Sequence, residues 1–390
     1  MSDRATTRGK ASAGPTSDRS LVGPALADDA SPAFRAVVLA VRDALADDPS
    51  GVSEPLRNPE DVPAVAHRHQ VVSLVYEGLS GTDVPASTLD SLREATERNT
   101  GRNLQYTREL LRVLDAFEAA GVRAIPVKGP VLAAVAYGDL NRRTFGDLDV
   151  LVPAGDAVAA GEILRADGYV PDDAFGLLGR FGTDSPVLAG VSECSFYHER
   201  HGEVELRWRQ GHWTNPLSAS FDDWWDRRET TGLAGRKVPV LSPEDRLLVV
   251  ATHANKHAWR RLAWLADVAA TLRTHEDLDW DALERRASAW GVTVAIHVGV
   301  ALAGSLSEEV AESVPPDVRE RVRADRLAGV LADRAASRLA RDPLGAPSRV
   351  EEVAYDVAAA GSVRTLPRSA GRAAAASVRH LVGAIATESR

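Results

Sequence analysis

Apolar residues in this chain recur mostly every three or four positions, the period of helices buried along one side. Phe34, Val37, Val38, Val41 and Leu45 keep that spacing behind Ser31-Pro32, a helix start with proline at the first helical position. Residues 63–79 read as a second helix. Residues 88–120 read as a third, broken near 99–103, with Leu104, Leu110, Leu111, Leu114 and Phe117 as its stripe and Gly121 as its stop. Ser242-Pro243-Glu244-Asp245 opens another helix: serine caps it, proline takes the first position, and the acids complement the dipole. Helices are then expected over 262–273, 280–290, 293–304 and 316–341.

Elsewhere the helical period gives way. The runs 124–127 and 150–152 are too short for helices and rich enough in Val, Ile and Leu to be buried strands, with an alanine-rich helix over 130–137 between them. A helix follows over 154–168, and 175–188 reads as an irregular glycine-rich flap. Residues 193–198 and 203–209 alternate like two strands joined by a turn at 199–202. In the second, Val204, Leu206 and Trp208 share one face, while Glu203, Glu205 and Arg207 share the other. A short strand is expected over 238–241.

The chemistry concentrates where the two buried runs end. The first runs into Lys128-Gly129, and the second begins at Asp147-Leu148-Asp149. Alternate side chains of a strand point the same way, so Asp147 and Asp149 project together. Two adjacent carboxylates repel and raise one pKa. A divalent cation removes that penalty, and carboxylate oxygens suit Mg²⁺. On this ground alone, neutralising Asp149 is expected to stabilise the metal-free protein slightly. Gly129 opens a helix whose N-terminal end favours phosphate, and Lys128 adds a point charge. A phosphate cradle beside paired carboxylates equips a chain for phosphoryl or nucleotidyl transfer. Each piece alone has a plainer reading, a solvated strand start or a turn. The P-loop pattern G-x-x-x-x-G-K-[ST] does not occur.

The ordered set Lys128-Gly129, Tyr137-Gly138, Arg143 and Asp147-Leu148-Asp149-Val150-Leu151-Val152 resembles the uncharacterised nucleotidyltransferase family of the DNA polymerase β-like nucleotidyltransferase superfamily. The likeness extends to about residue 300. It implies an α+β fold, a small mixed-sheet nucleotidyltransferase core flanked by N-terminal and C-terminal helical units. It also implies transfer of a nucleoside monophosphate from an NTP to an unidentified acceptor, with two Mg²⁺ ions. Asp147 and Asp149 would be catalytic metal ligands, and Lys128 and Gly129 would bind phosphate. Arg143 aligns with the family's arginine, which touches phosphate or forms a structural salt bridge. The third carboxylate falls on Glu205, because Val204-Glu205-Leu206-Arg207-Trp208 is similar to the family's V-D-L-H-W, with Glu203 as competitor. The sequence departs from that pattern twice: Glu205 replaces aspartate, and Arg207 replaces histidine beside the metal site. Arg207 favours an alternative, an idle nucleotidyltransferase fold serving as a scaffold. A phosphotransferase using the same cradle is the other alternative.

The helix opened by Ser242 carries His253, Lys256 and His257, a cluster similar to one in the family. Arg260 and Asp267 extend its face by helical spacing. It reads as a face turned toward nucleotide or acceptor, or as a buried polar network. His253-Ala254-Asn255-Lys256-His257 lacks the glutamate of a zinc-protease motif. His67 and His69 lie two apart and share no helix face, which leaves a surface or capping role. Trp213, Trp224 and Trp225 read as packing between units rather than as base-stacking platforms.

The resulting organisation is a disordered tail at 1–30, an N-terminal helical unit at 31–121, the nucleotidyltransferase core at 122–241, a C-terminal helical bundle at 242–345, and a linker with a basic, alanine-rich helical tail at 346–390. Composition narrows the partners. The net charge of −9 argues against broad nucleic-acid binding. The lone Cys194 rules out an intramolecular disulfide and accords with a reducing cytoplasm. No apolar run reaches membrane-spanning length, and the N-terminus carries no apolar signal core. Lysine occurs only at positions 10, 128, 237 and 256 against an arginine background, which makes Lys128 conspicuous.

Overall fold

The computed structural model describes residue 26 and residues 30–47, 52, 56–185, 191–212, 215–217, 219–275 and 277–341. The expected N-terminal tail falls largely, and the linker and basic C-terminal tail entirely, outside them, as does Trp213.

Helix α1 (Pro32–Leu45) starts where Ser31 accepts the Phe34 N–H at 3.2 Å. The expected helix at 63–79 is two, α2 (Val62–Arg68) and α3 (Val72–Leu79). Gln70 adopts φ 58° between them, a left-handed corner that no continuous helix accepts. Helix α4 (Ala86–Ala119) runs unbroken for 34 residues, about 51 Å at 1.5 Å per residue. The break expected at 99–103 is absent because Asn99 and Asn103 turn their amides outward to a neighbouring loop. Asn103 Nδ2 donates to the carbonyls of Leu140 at 2.7 Å and Arg143 at 2.8 Å.

Strand β1 (Ile125–Pro126), helix α5 (Gly129–Tyr137) and strand β2 (Asp147–Leu151) follow. Then come α6 (Ala157–Ala166), β3 (Val170–Pro171) and α7 (Asp173–Phe181). Helix α7 replaces the first half of the expected flap: Asp172 caps it by accepting the Ala174 N–H at 3.1 Å. Strands β4 (Glu193–His198) and β5 (Gly202–Arg207) complete a five-stranded sheet ordered β1-β2-β5-β4-β3. It is mixed, with β2 and β5 parallel and the other pairs antiparallel.

Strands β6 (Gln210–His212) and β7 (Asn215–Leu217) pair with each other. Helix α8 (Phe221–Arg227) precedes a hairpin of β8 (Glu229–Leu233) and β9 (Arg236–Val240). The rest is helical: α9 (Pro243–Lys256), α10 (Leu262–Thr274), α11 (Trp280–Ala289), α12 (Thr293–Leu306), α13 (Glu308–Glu312), α14 (Pro316–Ala324) and α15 (Arg326–Leu339). The single helix expected at 316–341 splits at Asp325, which caps α15 through the Ala328 N–H at 3.0 Å and pairs with His297 at 2.8 Å.

Two apolar cores result. One joins α1–α3 to α9–α15, and the other lies between the sheet, α6, α7 and the C-terminal half of α4. Helix α5 is shared: Leu132, Ala136 and Tyr137 face the helical core, and Val131 faces the sheet core. Helix α4 spans both, with Leu92 in one and Leu110, Val113 and Phe117 in the other. No described helix is long and apolar enough to cross a membrane.

Candidate active site

The parallel pairing of β2 with β5 sets Asp147 opposite Glu203, Asp149 opposite Glu205 and Leu151 opposite Arg207. Leu148, Val204 and Leu206 are buried in the core, which fixes the pleat and sends the acids to the other face. There Asp147, Asp149 and Glu205 each offer a carboxylate oxygen, all within 4.8 Å of one another. Glu203 lies outside this cluster. Asp149 is only 2% exposed, while Asp147 and Glu205 are half-buried.

Two cations hold Asp149. Lys128 Nζ lies 3.0 Å from Oδ2, and Arg207 Nε lies 2.7 Å from Oδ1. The same guanidinium bonds Glu205 and, on β4, Glu193. Burial opposes ionisation of Asp149, but Lys128 and Arg207 outweigh it and hold the carboxyl well below the usual range. Burial and the Asp149 charge raise the Asp147 pKa, and they push Glu205 up to about 8. A cation placed among the three would relieve that crowding. The donors are hard oxygens, so the residues present fit Mg²⁺ or a similar divalent ion. Arg207 is the competitor for that position.

Lys128 is the residue before α5, and Gly129 at φ 58° makes the turn into the helix. A Cβ at Gly129 would stand 3.4 Å from the Asp147 carbonyl oxygen, so helix start and strand start are in close contact. The loop between α5 and β2 is held by α4, where Tyr106 donates to the Gly146 carbonyl at 2.5 Å beside the Asn103 bonds already described. These groups position Asp147 and were not singled out from sequence, because mid-helix polar residues resemble a solvated face.

Arg143 lies within electrostatic reach of Asp147, but its guanidinium is bound elsewhere. It forks onto Asp267 of α10, Nε to Oδ1 at 2.8 Å and Nη2 to Oδ2 at 2.9 Å, and the Tyr137 hydroxyl donates to Oδ1 at 2.8 Å. Of the two roles left open for Arg143, this geometry is the salt bridge. The face drawn from His253 to Asp267 also changes. Helix α9 ends at Lys256, so Arg260 lies beyond it and Asp267 belongs to α10. His253 Nδ1 stands 3.3 Å from Lys128 Nζ, and Lys256 Nζ stands 3.9 Å from Glu193. His257 stacks on Trp264 at 5.2 Å between ring centres. Burial and neighbouring cations push His253 well below its usual pKa and His257 down to about 3, so both are neutral.

Residues 55–308, more than half of the chain, match the family described as uncharacterised nucleotidyltransferase. The chain belongs to the uncharacterised nucleotidyltransferase family. It is a transferase by that membership, and nucleotidyl transfer is the family's class of reaction. Among solved structures, the nucleotidyltransferase is similar to the lincosamide antibiotic adenylyltransferase LnuA bound to lincomycin. That match has 22% identity over 36% of this chain and 83% of that one, with a TM-score of 0.26. No curated protein matches the nucleotidyltransferase.

Proposed function

We propose that this protein transfers a nucleoside monophosphate from an NTP to an acceptor hydroxyl, with Mg²⁺ held by Asp147, Asp149 and Glu205. The supporting observation is the convergence of those three carboxylates on adjacent parallel strands, with the Lys128–Gly129 helix start against the first of them. Bound Mg²⁺ would supply charge stabilisation at the phosphate and a lower pKa for the attacking hydroxyl. The acceptor oxygen bonds to the α-phosphorus, the bond from that phosphorus to the α–β bridging oxygen breaks, and pyrophosphate leaves. The acceptor's proton passes to solvent.

In this reading Lys128 faces the α-phosphate and offsets charge that grows on its oxygens. Gly129 lets the backbone come close. Arg207 keeps Asp149 ionised and orients Glu205. Tyr137, Asp267 and Arg143 fix the loop that presents Asp147.

A second reading has one observation behind it. Arg207 already satisfies Asp149, Glu205 and Glu193, as a fold that binds nucleotide without turnover would allow. Mass spectrometry of the protein with NTPs, Mg²⁺ and cell extract separates the cases. An acceptor heavier by one NMP, lost in Glu205→Gln and kept in Glu203→Gln, is the expected outcome. An acceptor heavier by one phosphate would replace nucleotidyl by phosphoryl transfer. Mg²⁺-independent NTP binding without any product would leave the scaffold.

A further inference from the structure

Five non-glycine residues among those described adopt left-handed backbone: Asn58, Gln70, Ala234, Ala258 and Trp259. Three of them meet at one corner of the site. Ala258 (φ 51°) and Trp259 (φ 55°) form the turn between α9 and α10, and Gln70 (φ 58°) forms the turn between α2 and α3. The two turns are bonded together. Arg261 Nη1 donates to Gln70 Oε1 at 2.9 Å, and the N–H groups of Leu262 and Ala263 donate to His69 Nδ1 and its carbonyl, both at 3.2 Å. Such backbone is costly for a non-glycine residue, and that cost persists only where the surroundings over-determine the conformation. Here the completely buried Trp259 ring pins the turn. Strain of this kind concentrates where a chain must present groups to a ligand.

The strained turn presents Lys256, Arg260 and Arg261, all half-buried. Apart from Glu193 and Asp147, their charged neighbours are cations. Lys256 has Glu193 at 3.9 Å, the outer limit of an ion pair. The buried Arg260 Nε has no hydrogen-bond partner among the described residues. Both arginines lie over the Trp264 ring, at 6.0 and 5.5 Å from its centre. Burial and the Arg260 charge lower the Arg261 pKa, while Asp147, within electrostatic reach, raises it. His253 and His257 bring no anion. Three crowded cations, one with a buried unused donor and one 3.9 Å from the Glu193 that shares Arg207 with the carboxylate cluster, match a multiply charged anion lying beside that cluster.

We propose that the 256–261 turn is a subsite for a chain of phosphates. Lys256, Arg260 and Arg261 hold the β- and γ-phosphates, which depart as pyrophosphate once the α–β bridging bond breaks, while Lys128 faces the α-phosphate. Arginine forks suit phosphate oxygens in pairs, and a single phosphate would leave most of this charge unmet. The assignment rests on the nucleotidyl-transfer reading and extends it to the leaving group.

Calorimetry tests it with three probes: inorganic tripolyphosphate, the tightest of the four common ribonucleoside triphosphates with Mg²⁺, and the matching monophosphate. The Arg260→Gln/Arg261→Gln double variant is expected to weaken tripolyphosphate and NTP at least tenfold and to leave the monophosphate within twofold. Arg93→Gln, an exposed α4 residue paired with Asp90, controls for loss of charge and should change nothing. Should the double variant fail to fold, Lys256→Gln carries the same comparison with an expected loss of about threefold. No tripolyphosphate binding by the wild type, or equal binding by the variants, overturns the subsite. Loss for tripolyphosphate without loss for NTP overturns its assignment to the leaving phosphates. A subsite that holds tripolyphosphate in a protein that binds no NTP would instead sink the nucleotidyl-transfer reading.

Discussion

Asp149 sits between Lys128 on one oxygen and Arg207 on the other, and all three side chains are buried. Removing its charge therefore leaves buried Lys128 without its paired carboxylate and takes from Arg207 one of its three. This reverses the expectation drawn from carboxylate repulsion alone, in which Asp149→Asn would stabilise the metal-free protein. Breaking a buried pair by neutralising one partner costs about 3–5 kcal/mol. Asp149→Asn is thus expected to lower the melting temperature and to reduce turnover at least ~10²-fold in the molecules that remain folded. Thermal melts and single-turnover assays at low temperature check both halves. A variant as stable as the wild type would mean that Lys128 finds another partner and that Glu193 and Glu205 suffice for Arg207. Period-two alternation is enough to set Asp147 and Asp149 together, since it needs only spacing along one strand, whereas Glu205 is distinguished from Glu203 only by the likeness of residues 204–208 to the family's pattern. Glu193 was not legible as a partner of Arg207, because their meeting depends on the register of β4 against β5. The face that helical spacing continues from His253 to Asp267 is broken because Ala258 and Trp259, both ordinary in a helix, turn the chain left-handed after Lys256.

Elements were legible where one local rule decided them. Ser31-Pro32 and Ser242-Pro243 open α1 and α9 as capping chemistry requires. They were misread where a distant contact decided. Asn99 and Asn103 looked like a break because asparagine competes for backbone bonds, yet in α4 both amides reach the loop carrying Arg143. The β8–β9 hairpin shows local chemistry that the sequence leaves unoptimised. Its two-residue turn is Ala234-Gly235 with φ of 48° and 86°, the type I′ pattern for which Asn-Gly is preferred. Ala234→Asn keeps that backbone at lower cost and is expected to stabilise by about 1 kcal/mol. The melting temperature should rise by about 2 °C, with turnover unchanged. A fall would mean that the Ala234 methyl makes a contact worth more than the strain it carries.

At the scale of the molecule, the candidate site lies on the seam between the two apolar cores. The sheet core supplies Asp147, Asp149, Glu205 and Arg207 on β2 and β5. The helical core supplies His253 and Lys256 on α9 and the turn that follows. Lys128–Gly129 stands at the head of α5, a helix that packs into both. Long-range pairs cross the same seam: Lys128 with His253, Arg143 with Asp267, and Lys256 with Glu193. A ligand that bridges the seam gains affinity only when both cores hold their places, so binding must stabilise both together. At one hundred times its dissociation constant it adds about 2.7 kcal/mol to the folded state. Hydrogen exchange with and without saturating Mg²⁺ and NTP reads where that free energy goes. Amides of β2 and β5 and those of α9 and the start of α10 are expected to slow together, by up to about a hundredfold where exchange requires the seam to open. Slowing confined to β2 and β5 would leave the helical core outside the site and the 256–261 turn without a ligand. Slowing confined to α9 and α10 would remove the carboxylate cluster from nucleotide binding, and the reaction proposed for it would lose its metal site.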